Sequence, residues 1–543
     1  MIKSVTVDEM RKIEIQADAA GWAFARMMET AGLGLAEKVR ERYGGLFLQP
    51  ADASVAGLVG GGNNGGDTLI ALTHLIQWGW KASAFLVGRK PSDAFVKKFE
   101  SAGGKVVLTG TSEWQKELEG VDVLLDGMLG TGFRLPLRSE TGQILAQVHA
   151  FLDQADSQPY IVAVDCPSGV DCDSGEMAPE TLPADMTVCM AAVKTGMLKL
   201  PAFERVGELN LVDIGLPEDL PGWKAVTNYV ASEDEVRDWL PKRPLDAHKG
   251  TFGTALIVGG SINYTGAPLL AGEAAYRVGA GLVTMAVPES LHMPLAGALP
   301  EATWLLLAQE TGVIAQDAAE VVLRHLPKVT AMLLGPGMGL EETTRDFVKD
   351  VVSHHRPYAR AGMGFLNVES DSESSSEPKM NLPPLVVDAD GLKHLAQIQE
   401  WDQLLSEQVV LTPHPGEMAI LTGMKTADIQ NHRLEVAKEY ATRWRKVVVL
   451  KGAFTVIANP NGETWVIPIA TSALARAGTG DVLAGIITGL LAQGMEPFHA
   501  AIAGCWLHAQ AGLHAMDDFG TSASVLAGDV LAAVPEVLAE LSD

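Results

Sequence analysis

Short apolar segments alternate with helical patterns along almost the whole chain, and this alternation is the strongest constraint on its fold. In the first part of the chain the predicted strands are Ser54–Val59, Ala82–Val87, Val121–Leu125, Tyr160–Val164, Met186–Met190 and Leu209–Ile214. In the second part they are 254–260 with its turn, 282–288, Ala331–Leu334, Leu385–Val387, Val409–Leu411 and Val447–Leu450. Helices between such strands cover a mostly parallel sheet. The pattern therefore predicts an α/β fold.

The sequence also predicts helices in three regions. Residues Met1–Arg40 are predicted as one helix that packs outside the sheet or at an oligomer interface. Residues 268–281 form a predicted helix between two strands, and helices from Gly480 onward close the chain.

The chain has more than one domain, because 543 residues exceed what a single hydrophobic core organises. Residues 216–248 are rich in proline and charge, and they separate the two series of strands. We predict one domain over residues 1–215, a linker over 216–229 and a second domain over 230–543.

The charge balance restricts the class of partner. The sequence has 67 acidic and 41 basic residues, giving a net charge of −26. This field opposes binding to nucleic acid and to anionic membranes.

The N-terminus lacks a signal-peptide pattern, and no run of about 18 apolar residues is found. The four cysteines form no C-x-x-C pair, which argues against a zinc site or disulfide framework. We expect a cytoplasmic protein that binds neither nucleic acid nor membrane.

The segment "VGGGNNGGDTLIA", residues 59–71, follows a predicted strand and satisfies G-x-G-x-x-G. It is open to three interpretations: a plain strand-to-helix turn, a dinucleotide site, or another nucleotide site that uses the polar side chains of "NNGGD". A dinucleotide site normally has an acid after the next strand, for the ribose hydroxyl. This sequence has Arg89 there, which in principle suits a 2′-phosphate instead.

Polar residues follow two more predicted strands. Asp126 follows "VLL", and Asp165 and Ser168 follow "IVAV". The carboxyl ends of parallel strands share one edge of the sheet, where ligands bind. We therefore expect these three residues and Asn64 to converge, although each one alone is also typical of a turn or cap.

The segment "ARAGTGDVLAGII", residues 475–487, places Gly478, Gly480 and Asp481 at a predicted helix start. Backbone N–H groups and the helix dipole form an anion hole there. Asp481 is positioned to take a proton from a hydroxyl, a pairing seen in ribokinase-like phosphotransferases. A capped helix is the alternative for this motif alone. The glycine-rich turn 335–339 and the Lys451–Gly452 pair follow other strands, which favours a phosphate site.

Two other kinds of site are disfavoured in this half. The motif "HPGE" around His414 lacks the second histidine of a helical zinc site, and His414 alone is more typical of a packed or hydrogen-bonded residue. The sequence also lacks the G-x-x-x-x-G-K-[ST] motif of a P-loop.

The motifs "GGGNNGGD", "DGMLGTGF" and "VDCPSGVDCDSG" resemble the NAD(P)H-hydrate epimerase (YjeF N-terminal) domain, over roughly residues 1–215. The resemblance implies a Rossmann-like three-layer α/β/α domain. It implies that K⁺ is bound by Asn64, Asp126 and Ser168, whose oxygens suit a hard cation. It implies that the hydrated nucleotide is held by Asn63, Asn64, Gly65, Gly66, Asp67, Gly130, Thr131, Gly132, Phe133, Arg134, Leu135, Pro136 and Asp165. Asp165 is the candidate catalytic residue.

The motifs of the second half resemble the ADP-dependent NAD(P)H-hydrate dehydratase domain, over roughly residues 230–540. The resemblance implies a second three-layer domain of ribokinase-like fold. It implies that the hydrate is contacted by Ala267, Gly337, Gly339, His414 and Asp481. It implies that ADP is contacted by Lys451, Gly452, Ala453, Phe454, Thr455 and Gly480. Asp481 is the predicted base, and Mg²⁺ is expected because the charge of the transferring phosphoryl group needs neutralising.

Together the two resemblances imply repair of NADH and NADPH that carry a 6-hydroxyl after hydration. The first domain would interconvert the R and S epimers. The second would use ADP to dehydrate the S epimer, releasing AMP and phosphate. The small-molecule partners are the two hydrates and ADP, and we expect a homo-oligomer. The alternative is an ATP-dependent kinase of a small alcohol, such as a vitamin precursor, joined to a noncatalytic nucleotide-binding module.

One segment departs from the expected family pattern. Forty-six residues separate Gly339 from Val386, a longer interval than we expect. Within it, residues 368–378 read "VESDSESSSEP" and contain almost nothing to bury. Such a composition predicts a mobile surface loop.

Overall fold

The structure, a computed structural model, describes residues 1–43, 53–109, 114–155, 157–354 and 382–542. The acidic, serine-rich segment 368–378 lies outside the described residues. The chain divides into two compact units, one of Ile2–Val230 and one of Ala231–Asp543 together with Met1. Within the described ranges, no helix combines the length and the apolar character needed to cross a bilayer.

The first unit is built on a parallel sheet. In chain order its strands are β1 (Ile2–Val5), β2 (Ser54–Gly60), β3 (Lys81–Val87), β4 (Lys105–Leu108), β5 (Val123–Gly127), β6 (Tyr160–Val164), β7 (Met186–Met190), β8 (Val193–Lys194), β9 (Glu208–Val212) and β10 (Asn228–Val230). Seven of them pair in the order β4-β3-β2-β5-β6-β7-β9, all parallel. The strand order reverses direction between β2 and β5, as in Rossmann-like sheets. The predicted parallel sheet is confirmed, with strand ends within two residues of the predicted ones.

The sheet of the first unit is buried on both faces. Successive side chains of a strand point to opposite faces. In β2, Val55 and Val59 belong to one apolar cluster, whereas Ala56 and Leu58 belong to a second. The helices that accompany these clusters are α1 (Val7–Ala19), α2 (Phe24–Tyr43), α3 (Asn63–Gln77), α4 (Ala94–Ser101), α5 (Ser139–Leu152) and α6 (Pro221–Ala225). The unit therefore has the predicted three layers.

The single helix predicted over Met1–Arg40 is wrong. The segment forms β1, α1 and most of α2 instead. Thr6 begins α1 with a capping box, in which its hydroxyl accepts from the Glu9 N–H at 3.2 Å and the Glu9 carboxylate accepts from the Thr6 N–H at 2.8 Å. Beyond the end of α1, Gly21 adopts φ +93°, a left-handed conformation that favours glycine and breaks the helical path.

The segment predicted as a linker, residues 216–229, contains α6 and most of β10. Strand β10 pairs antiparallel with β1, with Val230 opposite Ile2 and Tyr229 opposite Lys3. By these contacts the segment is part of the first compact unit, whose last residue is Val230.

The second unit contains a larger, mixed sheet. Its strands are β11 (Thr254–Val258), β12 (Leu282–Pro288), β13 (Thr303–Leu307), β14 (Gln309–Glu310), β15 (Val313–Ile314), β16 (Ala331–Leu334), β17 (Leu385–Val387), β18 (Val409–Leu411), β19 (Val447–Leu450), β20 (Val456–Ala458) and β21 (Thr464–Val466). The order within the unit is β13-β12-β11-β16-β17-β18-β19-β20-β21, while β14 and β15 form a separate pair. Pairing is parallel as far as β19 and antiparallel for β20 and β21.

Helices accompany this sheet. They are α7 (Glu233–Trp239), α8 (Gly266–Arg277), α9 (Glu289–Ala296), α10 (Ala319–His325), α11 (Glu342–Val352), α12 (Asp390–Leu395), α13 (Trp401–Leu404), α14 (Pro415–Thr422), α15 (Thr426–Asn431), α16 (Arg433–Trp444), α17 (Thr479–Ala492), α18 (Pro497–Phe519) and α19 (Ala527–Glu540). Helix α17 is buried along almost its whole length after Asp481. It lies so close to α8 that a Cβ on Gly485 would stand 2.2 Å from the Ala271 carbonyl oxygen.

We expect Gly485→Ala to destabilise the second unit by roughly 1–3 kcal/mol, because a new methyl group would force α17 away from backbone atoms of α8. The matched control is Gly528→Ala in α19, where an added Cβ meets nothing within 4 Å. Urea unfolding of both variants checks the prediction. A Gly485→Ala protein as stable as wild type would show that the two helices are not closely packed.

Candidate active sites

A cavity of about 920 Å³ opens in the first unit beside the carboxyl ends of β2 and β5. This is the point where the strand order reverses, which is the usual ligand position in an open α/β sheet. Its walls include the turn at Gly61–Asn64, the segment Met128–Arg138, and residues of α1. All seven predicted residues from Gly130 to Pro136 border it, as does Asp165.

Most of the glycine-rich segment after β2 is helical. Gly62 is the N-cap of α3, so Asn63 already lies in the first turn. A Cβ on Gly65 would stand 2.1 Å from the Gly60 carbonyl oxygen, so this glycine permits close backbone packing. Asn63 and Asn64 border the cavity, whereas Gly65, Gly66 and Asp67 are not among its lining residues.

Arg89 stabilises this turn through hydrogen bonds to its backbone carbonyl groups. Its Nε donates to the Gly60 carbonyl at 2.7 Å, and a terminal nitrogen donates to the Gly62 carbonyl at 2.5 Å. The other terminal nitrogen pairs with Asp93 at 3.0 Å, and the side chain is only 6% exposed. All three guanidinium nitrogens therefore donate to protein groups, which argues against binding of a 2′-phosphate by Arg89.

Three of the four predicted strand-end residues converge. The buried Asp126 carboxylate accepts from the Ser168 hydroxyl at 2.5 Å and from the Ser168 N–H at 2.8 Å. The Ser168 hydroxyl also accepts from the Leu129 N–H at 2.9 Å, and the Asn64 amide donates to the Leu129 carbonyl at 3.2 Å. Burial raises the pKa of Asp126, although the bonds from Ser168 oppose that shift.

Asn64, Asp126 and Ser168, here called the Asp126 cluster, have the composition of a site for a hard cation. Within the described residues, no Lys, Arg or His nitrogen lies within 4 Å of the Asp126 carboxylate. A buried carboxylate without a cation is costly. Carboxylate, hydroxyl and amide oxygens are ligands that hard cations prefer. The residues present therefore fit a bound cation such as K⁺.

Asp165 stands apart from the Asp126 cluster. It adopts φ +64°, and its carboxylate accepts from the Met190 N–H at 2.9 Å and from the Lys194 ammonium. Burial disfavours the charge of Lys194, but the Asp165 carboxylate more than offsets this, so the pKa of Lys194 is raised. Lys194 also borders the cavity, although it was not predicted from sequence. The available signal was a lysine within the apolar run "VCMAAVK".

The second unit places Asp481 in the first turn of α17, three residues after the N-cap Gly478, which adopts φ +90°. Burial raises the pKa of Asp481 to about 7, the neighbouring Asp388 adds to the shift, and Lys451 opposes it. A Cβ on Gly480 would lie 3.5 Å from the Lys451 ammonium. The helix start, the acid and the lysine therefore lie together, as the sequence predicts for an anion site.

Lys451 is held by acids that follow other strands. Its ammonium lies 2.5 Å from the Asp388 carboxylate and 3.9 Å from that of Glu417. Thr412 donates to the same Asp388 oxygen at 2.7 Å. Burial would lower the pKa of Lys451, but Asp388 and Glu417 raise it. Asp388 was not assigned a role from sequence, although its position directly after a strand was visible.

The other predicted nucleotide residues form a turn after Lys451. Thr455 closes it, because its hydroxyl accepts from the Gly452 N–H at 3.3 Å and donates to the Gly452 carbonyl at 2.9 Å. Phe454 within the turn adopts φ +54°, and Ala453 precedes it. Arg433 lies against Gly452, so that an added Cβ there would meet its guanidinium at 3.0 Å.

The predicted hydrate residues of the second unit fall into three places. Ala267 lies beside Gly337, where an added Cβ would meet the Ala267 Cβ at 3.0 Å. The Gly339 N–H donates to Asp390 at 3.1 Å. His414 begins α14, since its Nδ1 accepts from the Gly416 N–H at 3.0 Å. In the described part of the chain, no hydrogen bond or ion pair joins these residues to Asp481.

The fold and the two sites define a class of protein. It has two α/β units, one with a cavity at the switch point of its sheet and the other with a glycine-rich helix start beside an acid and a lysine. The family described as "NAD(P)H-hydrate dehydratase" matches residues 255–536. The family described as "YjeF-related protein N-terminus" matches residues 24–196.

Curated relatives match the chain over nearly its whole length. The Bifunctional NAD(P)H-hydrate repair enzyme Nnr of Moorella thermoacetica is 36% identical over 528 residues, covering 95% of this chain and 93% of the relative. The enzyme of the same name in Escherichia coli is 30% identical, covering 98% and 93%. The chain therefore belongs to the family of bifunctional NAD(P)H-hydrate repair enzymes.

A solved structure also matches somewhat more than half of the chain. It is the ADP/ATP-dependent NAD(P)H-hydrate dehydratase of Bacillus subtilis, co-crystallised with ATP and Mg²⁺. The two are 30% identical, with 57% of this chain and 98% of that chain covered and a TM-score of 0.45.

The raised pKa of Asp481 predicts a pH-dependent penalty on folding. Between about pH 4 and pH 7 the unfolded chain ionises this carboxyl while the folded chain keeps it protonated, so stability falls as pH rises. We expect Asp481→Asn to increase the free energy of unfolding at pH 8 by about 2–4 kcal/mol, since one pKa unit equals about 1.4 kcal/mol. The advantage should disappear near pH 4.

Denaturant unfolding at several pH values measures this difference. The control is Asp518→Asn, which changes an exposed carboxylate in the same unit. An Asp481→Asn protein less stable than wild type at pH 8 would contradict the assigned environment of the carboxyl.

Proposed function

We propose that the protein repairs hydrated NADH and NADPH, with epimerisation in the first unit and ADP-dependent dehydration in the second. The observation that carries the proposal is that one chain contains both matched families, in the order found in full-length repair enzymes. The same observation disfavours a small-alcohol kinase joined to a noncatalytic module. The homo-oligomer and the cytoplasmic location stay predictions from sequence.

In the second unit, Asp481 is the proposed general base. It takes the proton of the 6-hydroxyl as that oxygen attacks the terminal phosphorus of ADP. A base is most effective when its pKa lies near the working pH, and that of Asp481 is raised to about 7. The N–H groups at the start of α17 offer an anion site for the phosphoryl oxygens. Elimination of the phosphate from C6 together with a proton from C5, which passes to solvent, then restores the dihydronicotinamide, and AMP leaves.

The residues of this unit fit a Mg²⁺ ion that arrives with the nucleotide. Asp388, Asp390 and Glu417 all act electrostatically on Asp481, so negative charge is concentrated there. Among the described residues, no three His, Cys, Asp or Glu side chains are close enough together to hold a metal by themselves. Mg²⁺ usually binds through one or two carboxylates together with phosphate oxygens and water. When bound, it neutralises charge on the phosphates.

In the first unit, Asp165 is the proposed catalytic residue, and the cavity beside it is the proposed site of the hydrated nicotinamide nucleotide. The segment Gly130–Pro136 and the two asparagines at the start of α3 supply the remaining lining. Asn64, Asp126 and Ser168 are the proposed ligands of K⁺. The buried Asp126 carboxylate supports this assignment, because a cation would compensate its charge.

The two activities should separate in Asp481→Asn. This change keeps the size of the side chain and removes the base, so dehydration of the S epimer should slow by about 10²–10⁴-fold. Conversion of R to S hydrate should continue at the normal rate, because its proposed residues lie in the other compact unit. Both reactions are followed separately on purified epimers, with ADP present only in the dehydration assay.

Each outcome of this assay has a distinct meaning. Dehydration at a near-normal rate would remove Asp481 from its role. An equal loss of both activities would show that the units are not chemically independent. Wild-type turnover of a small alcohol with ATP, without action on the hydrates, would select the kinase instead.

The proposed K⁺ site is tested through stability, without reference to activity. A ligand that binds only the folded state stabilises it by RT ln(1 + [L]/Kd), about 2.7 kcal/mol at one hundred times Kd. We expect K⁺ to raise the unfolding midpoint of the dialysed protein more than tetramethylammonium does. Asp126→Asn should abolish that difference, while Glu100→Gln, an exposed change in α4, should preserve it. A K⁺ response that survives Asp126→Asn would contradict the site.

A further inference from the structure

Helix α1 presents one face to the cavity of the first unit. Val7, Met10, Arg11 and Glu14 line it, at the spacing of three, four and seven residues that forms one stripe of a helix. Glu14 is half-buried in this position. In the described part of the chain, its carboxylate has no hydrogen bond and no ion pair within 4 Å.

The other acids of α1 all have structural partners. Asp8 pairs with Lys12 at 2.6 Å, Glu9 completes the cap with Thr6, and Asp18 accepts from the Phe24 N–H at 3.2 Å. Among the described residues, Glu14 is thus the acid of α1 that has no hydrogen-bond or ion-pair partner. It is also the acid that borders the cavity.

The groups that act electrostatically on Glu14 are Asp165 and Lys194, which line the same cavity, and Arg11. Burial raises the pKa of Glu14, Asp165 adds to the shift, and Lys194 and Arg11 oppose it. The pKa of the neighbouring Asp67 is also raised, first by its own burial and then by Asp165 and Glu14. The site therefore combines an ion-paired carboxylate, Asp165 with Lys194, and a second carboxyl that is inclined to keep its proton.

The chemistry of epimerisation needs two such groups. The R and S hydrates carry the hydroxyl on opposite faces of the ring, so water must leave on one face and enter on the other. One group gives a proton to the leaving oxygen, and another takes a proton from the entering water. In the reverse direction the two groups exchange roles, because both directions share the same transition states.

We infer that Glu14 is the second proton-transfer residue of the epimerase site, acting together with Asp165. This inference rests on the proposed function of the first unit. It goes beyond the residues predicted from sequence, which place only Asp165 in the reaction.

The proposed step is balanced in atoms and electrons. Protonated Glu14 gives its proton to the 6-hydroxyl, and the C6–O bond breaks with release of water. The lone pair of the ring nitrogen forms a C=N⁺ bond to C6. A second water then attacks C6 from the other face, its O–H proton passes to the Asp165 carboxylate, and the C=N⁺ electrons return to nitrogen. Proton exchange with solvent then returns Glu14 to its protonated form and Asp165 to its ionised form. No oxidant or reductant takes part.

The test is Glu14→Gln in the full-length protein, with both directions of epimerisation measured on separated epimers without ADP. The spontaneous rate is subtracted. We expect kcat to fall by about 10²-fold or more in both directions, with KM changed by only a few-fold. The pH profile of kcat should lose one of its two limbs. Glu14→Asp, which keeps a carboxyl, should recover part of the rate.

The matched control is Asp8→Asn, the same change at an exposed position of α1 whose side chain is 69% exposed. It should epimerise as wild type does. Normal kcat in Glu14→Gln, or a loss confined to KM, would overturn the role of Glu14. A loss of kcat that Glu14→Asp does not relieve would also overturn it, because a structural defect would then explain the result.

Labelled water tests the assigned bond cleavage. In H₂¹⁸O, each inversion should introduce one labelled oxygen at C6, and Glu14→Gln should slow labelling and inversion equally. Inversion without label would overturn the proposed step. A wild-type protein that does not interconvert the epimers at all would instead overturn the proposed function of the first unit.

Discussion

Backbone-to-backbone contact at the point where the strand order reverses is the constraint on which both sites depend. In the first unit, a Cβ on Gly60 at the end of β2 would stand 1.8 Å from the Met128 carbonyl oxygen after β5. In the second unit, a Cβ on Gly259 after β11 would stand 2.4 Å from the Pro336 carbonyl oxygen after β16. Only glycine permits such an approach. Neighbouring strand ends are thereby drawn together, and their polar residues meet at one edge of the sheet.

Each site also pairs a lysine with a buried aspartate from a different strand end. Lys194 contacts Asp165 in the first unit, and Lys451 contacts Asp388 in the second. A buried ion pair is costly to form and costly to break, because removing one partner leaves an unpaired buried charge.

The sheets could be predicted from sequence because parallel strands buried on both faces are continuous apolar runs. Segments such as Tyr160–Val164 and Val447–Leu450 form strands with the predicted ends. Short strands such as Val456–Ala458 and Thr464–Val466 gave no comparable signal and were missed. The helix Met1–Arg40 was wrong because its helical pattern continues through Gly21, whose left-handed conformation is a local feature.

The candidate sites could be predicted where a motif stands at a strand end, as with Asp126 and Ser168. Lys194, Asp388 and Glu14 were not assigned, because each acquires its role from contacts between distant parts of the chain. Lys194 reaches Asp165 across 29 positions of sequence, and Lys451 reaches Asp388 across 63. Periodicity places a residue on an element, but it does not state which strand end the residue will meet.

His414 illustrates how fold and chemistry share one side chain. Its Nδ1 caps α14, while the side chain as a whole is 54% exposed. Asparagine, aspartate and serine are common N-cap residues and would serve the helix equally well. Replacement of His414 by one of them would keep the cap but would remove the ring nitrogen that lies 3.2 Å from the buried Glu417 carboxylate. The helix cap alone therefore leaves this position free to vary, and any evolutionary pressure that keeps the histidine has to act on its second ring nitrogen.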